Sequence, residues 1–254
     1  MRVLVTRPAK FSEGLCQKIQ QLGAYPESFP VIEFKPTAEA LALQTVINKL
    51  NTFDIAIFAS RASVEFSIPQ IMLRWPNPSE LNVVWAAIGP GTRDALLQGG
   101  IKSVILPKAP PYESESLLDL EVFQSVVGKK ILIVRGNGGR EFLRDTLKKR
   151  GAEVEVIQAY RRVLPTVDMV ERLTRWHKAP IDVIVTTSAE CLQNLLTLVG
   201  TQDNQLLKDT PLIVVGLRML ELANKLDFKR PILASGADDA SILEALTILK
   251  GKSS

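Results

Sequence analysis

Short, wholly apolar runs recur along the chain and alternate with amphipathic stretches. Residues 2–6, 55–58, 83–88, 131–134, 182–186 and 212–215 read as strands covered on both faces, because apolar side chains occupy successive positions rather than every second one. Between the first two runs, Leu15, Ile19 and Leu22 fall on one face of a helix over 11–22 that Gly23 ends. Leu41, Leu43, Val46, Ile47 and Leu50 mark the next helix. The same reading gives helices over 93–98, 114–127, 140–150, 168–178, from Ser188, from Gly216 to Leu226 and over 241–250, with further strands at 25–32, 104–107, 153–159 and 231–234. Ser60 and Thr92 stand where N-caps belong, and Thr187 with Glu190 forms a capping box. Pro69 is expected to stop the helix that Ser60 opens, leaving 70–82 as loop. Strands alternating with helices throughout predict an α/β architecture of parallel, doubly wound, flavodoxin-like sheets.

The pattern repeats. Val3-Leu4-Val5-Thr6-Arg7 matches Ile131-Leu132-Ile133-Val134-Arg135 at an offset of 128, and Leu15, Ile19, Gly23-Ala24, Asp54 and Ser60 meet Leu143, Leu147, Gly151-Ala152, Asp182 and Ser188 at the same offset. With one residue deleted, Gly89 meets Gly216 and Ser114 meets Ser241. A duplication across 254 residues implies two domains. Two cuts satisfy it: consecutive halves, or an N-terminal strand-helix-strand that completes the C-terminal half around an independent middle. Extended Pro-containing segments near 34–37 and 160–167 look like paired crossings and favour the second.

Apolar residues at 46% and charged residues at 23% describe a soluble globular chain with a real core. Cys16 and Cys191 form no CxxC or Cys/His cluster, so neither a disulfide framework nor a metal site is expected. Arg7 and Pro8 interrupt the first apolar run too early for a signal peptide, and the expectation is a soluble cytoplasmic protein. The net charge of +4 is concentrated: residues 129–162 hold ten Lys or Arg against four acids. With aromatics at 6%, a compact anion fits this basic patch better than nucleic acid or a membrane. Lys148, Lys149 and Arg150 also suit the C-terminus of a helix.

Ligands of parallel sheets bind beyond the carboxyl ends of the strands. Arg7, Ser60, Gly89 to Thr92, Arg135 to Arg140, Tyr160, Ser188 and Gly216 all follow such ends, and several begin helices whose free N–H groups favour carboxylate or phosphate. Two lobes presenting such ends to each other would grip an elongated polyanion. Gly136-Asn137-Gly138-Gly139 has neither the P-loop Lys-Ser/Thr nor GxGxxG spacing, so a tight turn is the better reading than a nucleotide cradle. Ser60, Ser188 and Thr92 read as caps rather than nucleophiles. His177 has no triad partner and no carboxylate pair stands out, so the residues alone point to anion binding and leave the chemistry open.

Taken in order, Val3 to Pro8, Asp54 to Ser60, Ala87 to Thr92, Ile133 to Arg140, Gly151 to Val154, Ala159 to Arg162 and Asp182 to Ser188 resemble the uroporphyrinogen-III synthase family nearly end to end. The resemblance implies a bilobed protein, with residues 1–34 and 167–254 in one lobe, 38–162 in the other, and linkers at 35–37 and 163–166. It implies a lyase of heme biosynthesis that closes hydroxymethylbilane, a linear tetrapyrrole polycarboxylate, to uroporphyrinogen III. Water is lost and the last pyrrole ring inverted, through azafulvene and spiro intermediates, with no cofactor; a monomer is expected, and because two-lobed folds with thin linkers usually move, so is closure on binding. Tyr160 matches the family's functional tyrosine, the donor of a proton to the departing hydroxyl. Arg7, Ser60, Arg61, Ala62, Gly89, Thr92, Arg135, Gly136, Arg140, Ser188, Ala189 and Gly216 are the implied substrate contacts. Leu217-Arg218-Met219 departs from the family's Pro/Thr-rich turn, with Met219 opposite Thr92 in the repeat. A non-catalytic two-lobed protein holding a small polyanion is the alternative.

Overall fold

Val3, Leu4 and Val5 have no polar side chain, so both faces of the strand they form can be covered, and all three are fully buried. Ile55–Phe58 and Val183–Val185 are buried in the same way. The structure, a computed structural model, describes residues 1–139 and 141–251. In chain order its elements are β1 (Arg2–Val5), α1 (Ala9–Gln21), β2 (Tyr25–Ser28), β3 (Glu33–Pro36), α2 (Ala40–Asn48), β4 (Ile55–Phe58), α3 (Arg61–Arg74), β5 (Val84–Ala87), α4 (Pro90–Gln98), α5 (Ser114–Leu118), β6 (Lys130–Gly136) and α6 (Phe142–Lys149). They continue with β7 (Glu153–Val163), α7 (Met169–Lys178), β8 (Val183–Val185), α8 (Ala189–Val199), α9 (Asn204–Asp209), β9 (Leu212–Val215), α10 (Leu217–Lys225), β10 (Pro231–Ala234) and α11 (Asp239–Gly251).

Two compact units result, Met1–Glu33 with Val163–Ser254, and Phe34–Arg162. In the first the sheet runs β10-β9-β8-β1-β2, with the neighbouring strands parallel. Val3, Val5, Val183, Val185 and Ile213 pack on one face against Leu15 and Ile19 of α1 and Ile242 and Leu246 of α11. The alternate residues Leu4, Ile184, Leu212 and Val214 are buried as well. In the second unit the order is β3-β7-β6-β4-β5, and the pairs β7-β6, β6-β4 and β4-β5 are parallel. Ala56, Phe58, Trp85, Leu132 and Val134 meet residues of α2, α3 and α4 on one face, among them Ile47, Val64 and Leu96. Ile55, Ile57, Ala86, Ile131 and Ile133 meet Leu117, Phe123 and Leu147 on the other. So β6, α6 and β7 stand to β4 and β5 as β1, α1 and β2 stand to β8 and β9.

The repeated aspartates are clamps between strands. Asp54, just before β4, accepts the Lys130 N–H of β6 at 2.8 Å and Lys129 Nζ at 3.0 Å, while its own N–H donates to Lys130 O at 2.8 Å. Asp182, just before β8, accepts the Arg2 N–H of β1 at 2.6 Å and donates its N–H to Arg2 O at 3.0 Å. Both carboxylates therefore fix register at the amino ends of the sheets, remote from the strand ends where ligands bind. The backbone N–H of Lys130, followed by the bond from Lys129, holds the Asp54 carboxyl below the usual carboxylate range. A depressed folded-state pKa means stability present above the unfolded value of about 4 and lost as pH falls through the folded value. Asp54→Asn, which keeps an acceptor but not the charge, is expected to lower the melting temperature at pH 6 and to converge on the native protein only as the pH falls through the lowered value of the folded carboxyl. A gap that stays constant across that range would show that the charge contributes nothing.

Several boundaries differ from the sequence expectation. Pro69 lies inside α3 instead of ending it, so residues 70–74 are helical and the loop is shorter. The helix expected over 114–127 breaks into α5 and a 3-10 turn at Glu121–Phe123. Arg150 Nη1 donates to the Leu118 and Phe123 carbonyls at 2.8 and 3.0 Å, and Gln124 Nε2 to Leu118 O at 2.7 Å, so side chains take up carbonyls that a continuing helix would have used. The strand expected at 104–107 contracts to a single bridge between Ala86 and Ile105, since Pro107 has no N–H to extend it. Of the stretch 35–37 read as a linker, Lys35 and Pro36 close β3 and the Thr37 N–H donates to Ala159 O at 3.3 Å. Among the described residues no helix is long and apolar enough to cross a membrane.

Candidate functional site

Parallel strands end together, and at the carboxyl ends of β4, β5, β6 and β7 the unit Phe34–Arg162 has a pocket of about 280 Å³. A bulge shapes it. Arg135 lies opposite Gln158, but the next residue, Gly136, lies opposite Tyr160, so Ala159 is passed over. As a result Ile157, Ala159 and Tyr160 all belong to the apolar cluster around Phe58, although strict alternation would send Tyr160 to the other face. Its ring meets Phe34 edge-on at 5.4 Å and stacks on Phe66 at 5.7 Å. Tyr160 is 6% exposed, and its hydroxyl lies 3.1 Å from Ser60 Oγ.

Ser60 is itself held. Its Oγ accepts the Ser63 N–H at 3.1 Å and Ser63 Oγ accepts the Ser60 N–H at 3.2 Å, a capping box at the positive end of α3. The space for the tyrosine comes from Gly136, where a Cβ would stand 2.5 Å from Tyr160 Cζ and 2.9 Å from its Oη. Gly136→Ala must therefore push the ring out of place, and a loss of about 1–3 kcal/mol is expected. Denaturant unfolding together with a turnover assay checks this; an unchanged midpoint with full activity would mean the ring yields freely.

Around the phenol the pocket is cationic, with Arg135, Arg144 and Arg162 in its wall. Arg135 Nη2 and Arg144 Nη1 both reach Glu141, at 2.5 and 2.8 Å, and Arg144 also pairs with Asp145 at 2.8 Å. The Arg135 hydrogen bond, ahead of the surrounding charges, holds the Glu141 carboxyl below its usual range. Ile88, Ile133 and Leu143 supply apolar wall beside these charges. Burial pushes the Cys16 and Cys191 thiols up, which leaves neither a ready nucleophile. Among the described residues no group of His, Cys, Asp and Glu could hold a metal ion.

Of the residues expected to bind substrate, Ser60, Arg135 and Gly136 line the pocket with Tyr160. Arg140 lies outside the described residues. Arg61 is exposed and pairs with Glu65 at 2.9 Å, and Ala62 is buried in the core, so neither side chain lines the pocket. Thr92 is not an N-cap: Gly89 holds that place because Pro90, with φ preset for a first helical turn, starts α4 earlier. Thr92 and its counterpart Met219 are instead buried third residues of α4 and α10, and Leu217-Arg218-Met219 is the first turn of a helix. In the other unit Arg7 lies just beyond β1, pinned to Asp239 at 2.7 Å and to the Ala237 carbonyl. Burial raises the Asp239 carboxyl, but the bonds from Lys18 and Arg7 outweigh it and leave it low. Ser188, with Ala189 beside it, caps α8 through the Cys191 N–H at 3.1 Å, which displaces the capping box expected from Thr187, and Gly216 precedes α10.

A family model described as uroporphyrinogen-III synthase HemD matches residues 13–244. The chain belongs to the uroporphyrinogen-III synthase family. It is 34% identical over 251 residues to the uroporphyrinogen-III synthase of Escherichia coli (strain K12), across 97% of this chain and 100% of that one. Against the Salmonella typhimurium uroporphyrinogen-III synthase the identity is 35% over the same shares. Among solved structures, a mutant uroporphyrinogen III synthase from the extremely thermophilic bacterium Thermus thermophilus gives a TM-score of 0.63 at 18% identity over 99% of each chain. The uroporphyrinogen-III synthetase of Helicobacter pylori 26695 gives 0.64 at 16% identity over 98% of this chain and 100% of that one, and both likenesses are of fold. Members of the uroporphyrinogen-III synthase family are cyclising lyases of heme biosynthesis. Sequence reasoning gave no individual role to Asn137, Arg144 or Arg162, which also line the pocket. The basic run from 129 to 162 was the available signal for the two arginines.

Proposed function

We propose that this chain closes hydroxymethylbilane to uroporphyrinogen III, with inversion of the last pyrrole ring, and that Tyr160 starts the reaction. The observation that carries the reading is a phenol beside an N-cap serine in a pocket walled by three arginines. The Tyr160 hydroxyl protonates the departing oxygen of the substrate, so that water rather than hydroxide leaves as the pyrrole nitrogen supplies the electron pair that breaks the C–O bond. Arg135, Arg144 and Arg162 receive the acetate and propionate groups, an exchange of Glu141 and Asp145 for substrate carboxylates. Ile88 and Leu143 offer the pyrrole rings an apolar surface. No cofactor is required by this scheme, because the bilane is reactive and control of its conformation is the main task.

The same reading takes both units as doubly wound, flavodoxin-like domains. The order β2-β1-β8-β9-β10 supports it, as does β7-β6-β4-β5 extended by the Ile105 bridge. Purified protein is expected to consume hydroxymethylbilane faster than the bilane closes unaided, with no metal or nucleotide added. Disappearance at the unaided rate would remove the assignment.

A further inference from the structure

Asn137 stands between Gly136, whose missing side chain admits the Tyr160 ring, and Gly138 and Gly139, whose φ angles of 68° and 101° carry the chain away from the sheet. β6 has ended there, yet its pairing with β7 continues through this one residue. The Asn137 N–H donates to Tyr160 O at 3.0 Å. Its carboxamide then takes the place of a further peptide group: Oδ1 accepts the Arg162 N–H at 2.6 Å, and Nδ2 lies 3.4 Å from Arg162 O. Arg162 Nη2 donates back to Asn137 O at 3.2 Å. Tyr160 and Arg162 are thus tied to one residue on both sides of Arg161. The Thr37 N–H holds the passed-over Ala159 carbonyl on the β3 side at 3.3 Å, so on the β6 side the bulge is held by Asn137, and among the twenty side chains a short carboxamide has the acceptor and donor spacing of a peptide.

We propose that Asn137 is a positioning residue for Tyr160: it stands in for the missing β6 residue, fixes the bulge, and so sets where the phenol hydroxyl faces the pocket. This rests on the reading of Tyr160 as proton donor. Its effect belongs to the chemical step, since a misplaced donor costs rate more than it costs binding.

The test is a double-mutant cycle on the full chain with hydroxymethylbilane as substrate, with thermal unfolding as the check on folding. Asn137→Ala is expected to lower kcat about tenfold with KM within about twofold, and to add nothing further in a Tyr160→Phe background. Asn137→Asp keeps the acceptor for the Arg162 N–H, so kcat is expected within about threefold of native while KM rises as a carboxylate faces the arginines. This variant decides the matter if the alanine form does not fold. Native kcat in Asn137→Ala, losses that multiply with those of Tyr160→Phe, or a kcat in Asn137→Asp as low as in Asn137→Ala each overturn the positioning role while leaving the proton donor intact. Full turnover by Tyr160→Phe alone defeats the proton-donor reading, and any loss from Asn137→Ala would then not act through Tyr160.

Discussion

Tyr160→Phe is expected to lower kcat by about a hundredfold or more, the usual share of a positioned general acid. The substitution is well suited to isolate that role. Phe keeps the ring that packs between Phe34 and Phe66 and fits over Gly136, and it removes only the hydroxyl and its 3.1 Å bond to Ser60. That bond contributes about 1 kcal/mol to stability, so the melting temperature should fall by a few degrees at most. Single-turnover rates with hydroxymethylbilane, measured beside a thermal unfolding curve, separate the two effects. A variant as stable and as fast as the native protein would mean that the proton comes from elsewhere.

Glu27→Ala is expected to destabilise the unit of Met1–Glu33 and Val163–Ser254 by about 1–3 kcal/mol, chiefly the cost of leaving a buried donor without its acceptor, since the guanidinium partners are partly exposed. Glu27 projects from β2 with 16% of its side chain exposed and accepts from four donors. Arg2 Nη2 reaches it at 2.9 Å, Arg172 Nη1 and Arg175 Nη2 at 3.2 Å each, and the fully buried Trp176 ring donates Nε1–H at 3.0 Å. Alanine would leave three guanidinium groups crowded together and one buried N–H without an acceptor, whereas Gln keeps an acceptor for Trp176 and should lose less. Denaturant unfolding of the three proteins gives the order: native most stable, then Gln, then Ala. A change below about 1 kcal/mol for alanine would show that solvent screens the whole cluster.

Nothing about Glu27 was legible in the sequence, because its partners are distant in the chain, Arg2 in β1 and Arg172, Arg175 and Trp176 together on α7. The strands were legible for the opposite reason. Apolar runs such as Ile55–Phe58 carry their environment in their own composition, and the duplication fixed which of them correspond. That duplication also marked Asp54 and Asp182, although their common task turned out to be strand registration, which spacing alone does not reveal. Helix starts were harder. Thr92 has the chemistry of a cap, but Pro90 decides where α4 begins, and Pro69 sits within α3 because packing of the helix outweighs one missing hydrogen bond.

At the site, charge could be read and geometry could not. The basic run separates in the structure into Arg135, Arg144 and Arg162 at the pocket, Lys148 and Lys149 in the last turn of α6, and Arg150 bonded to backbone carbonyls. Tyr160 stood among many residues at strand ends, and only the family resemblance gave it a role of its own. Its position depends on a register shift, and no hydrophobic periodicity announces a bulge. Gly136 and Asn137 read as a turn for the same reason, since what they do is defined by a segment of β7 distant in the sequence.

The most direct test of the account is the identity of the cyclised product. Enzymatically generated hydroxymethylbilane is supplied to the purified protein, the products are oxidised, and the porphyrin isomers are separated chromatographically. The account predicts a predominance of the type III isomer, which requires both ring closure and inversion of the last pyrrole. Type I isomer alone, the outcome of unaided closure, would contradict it.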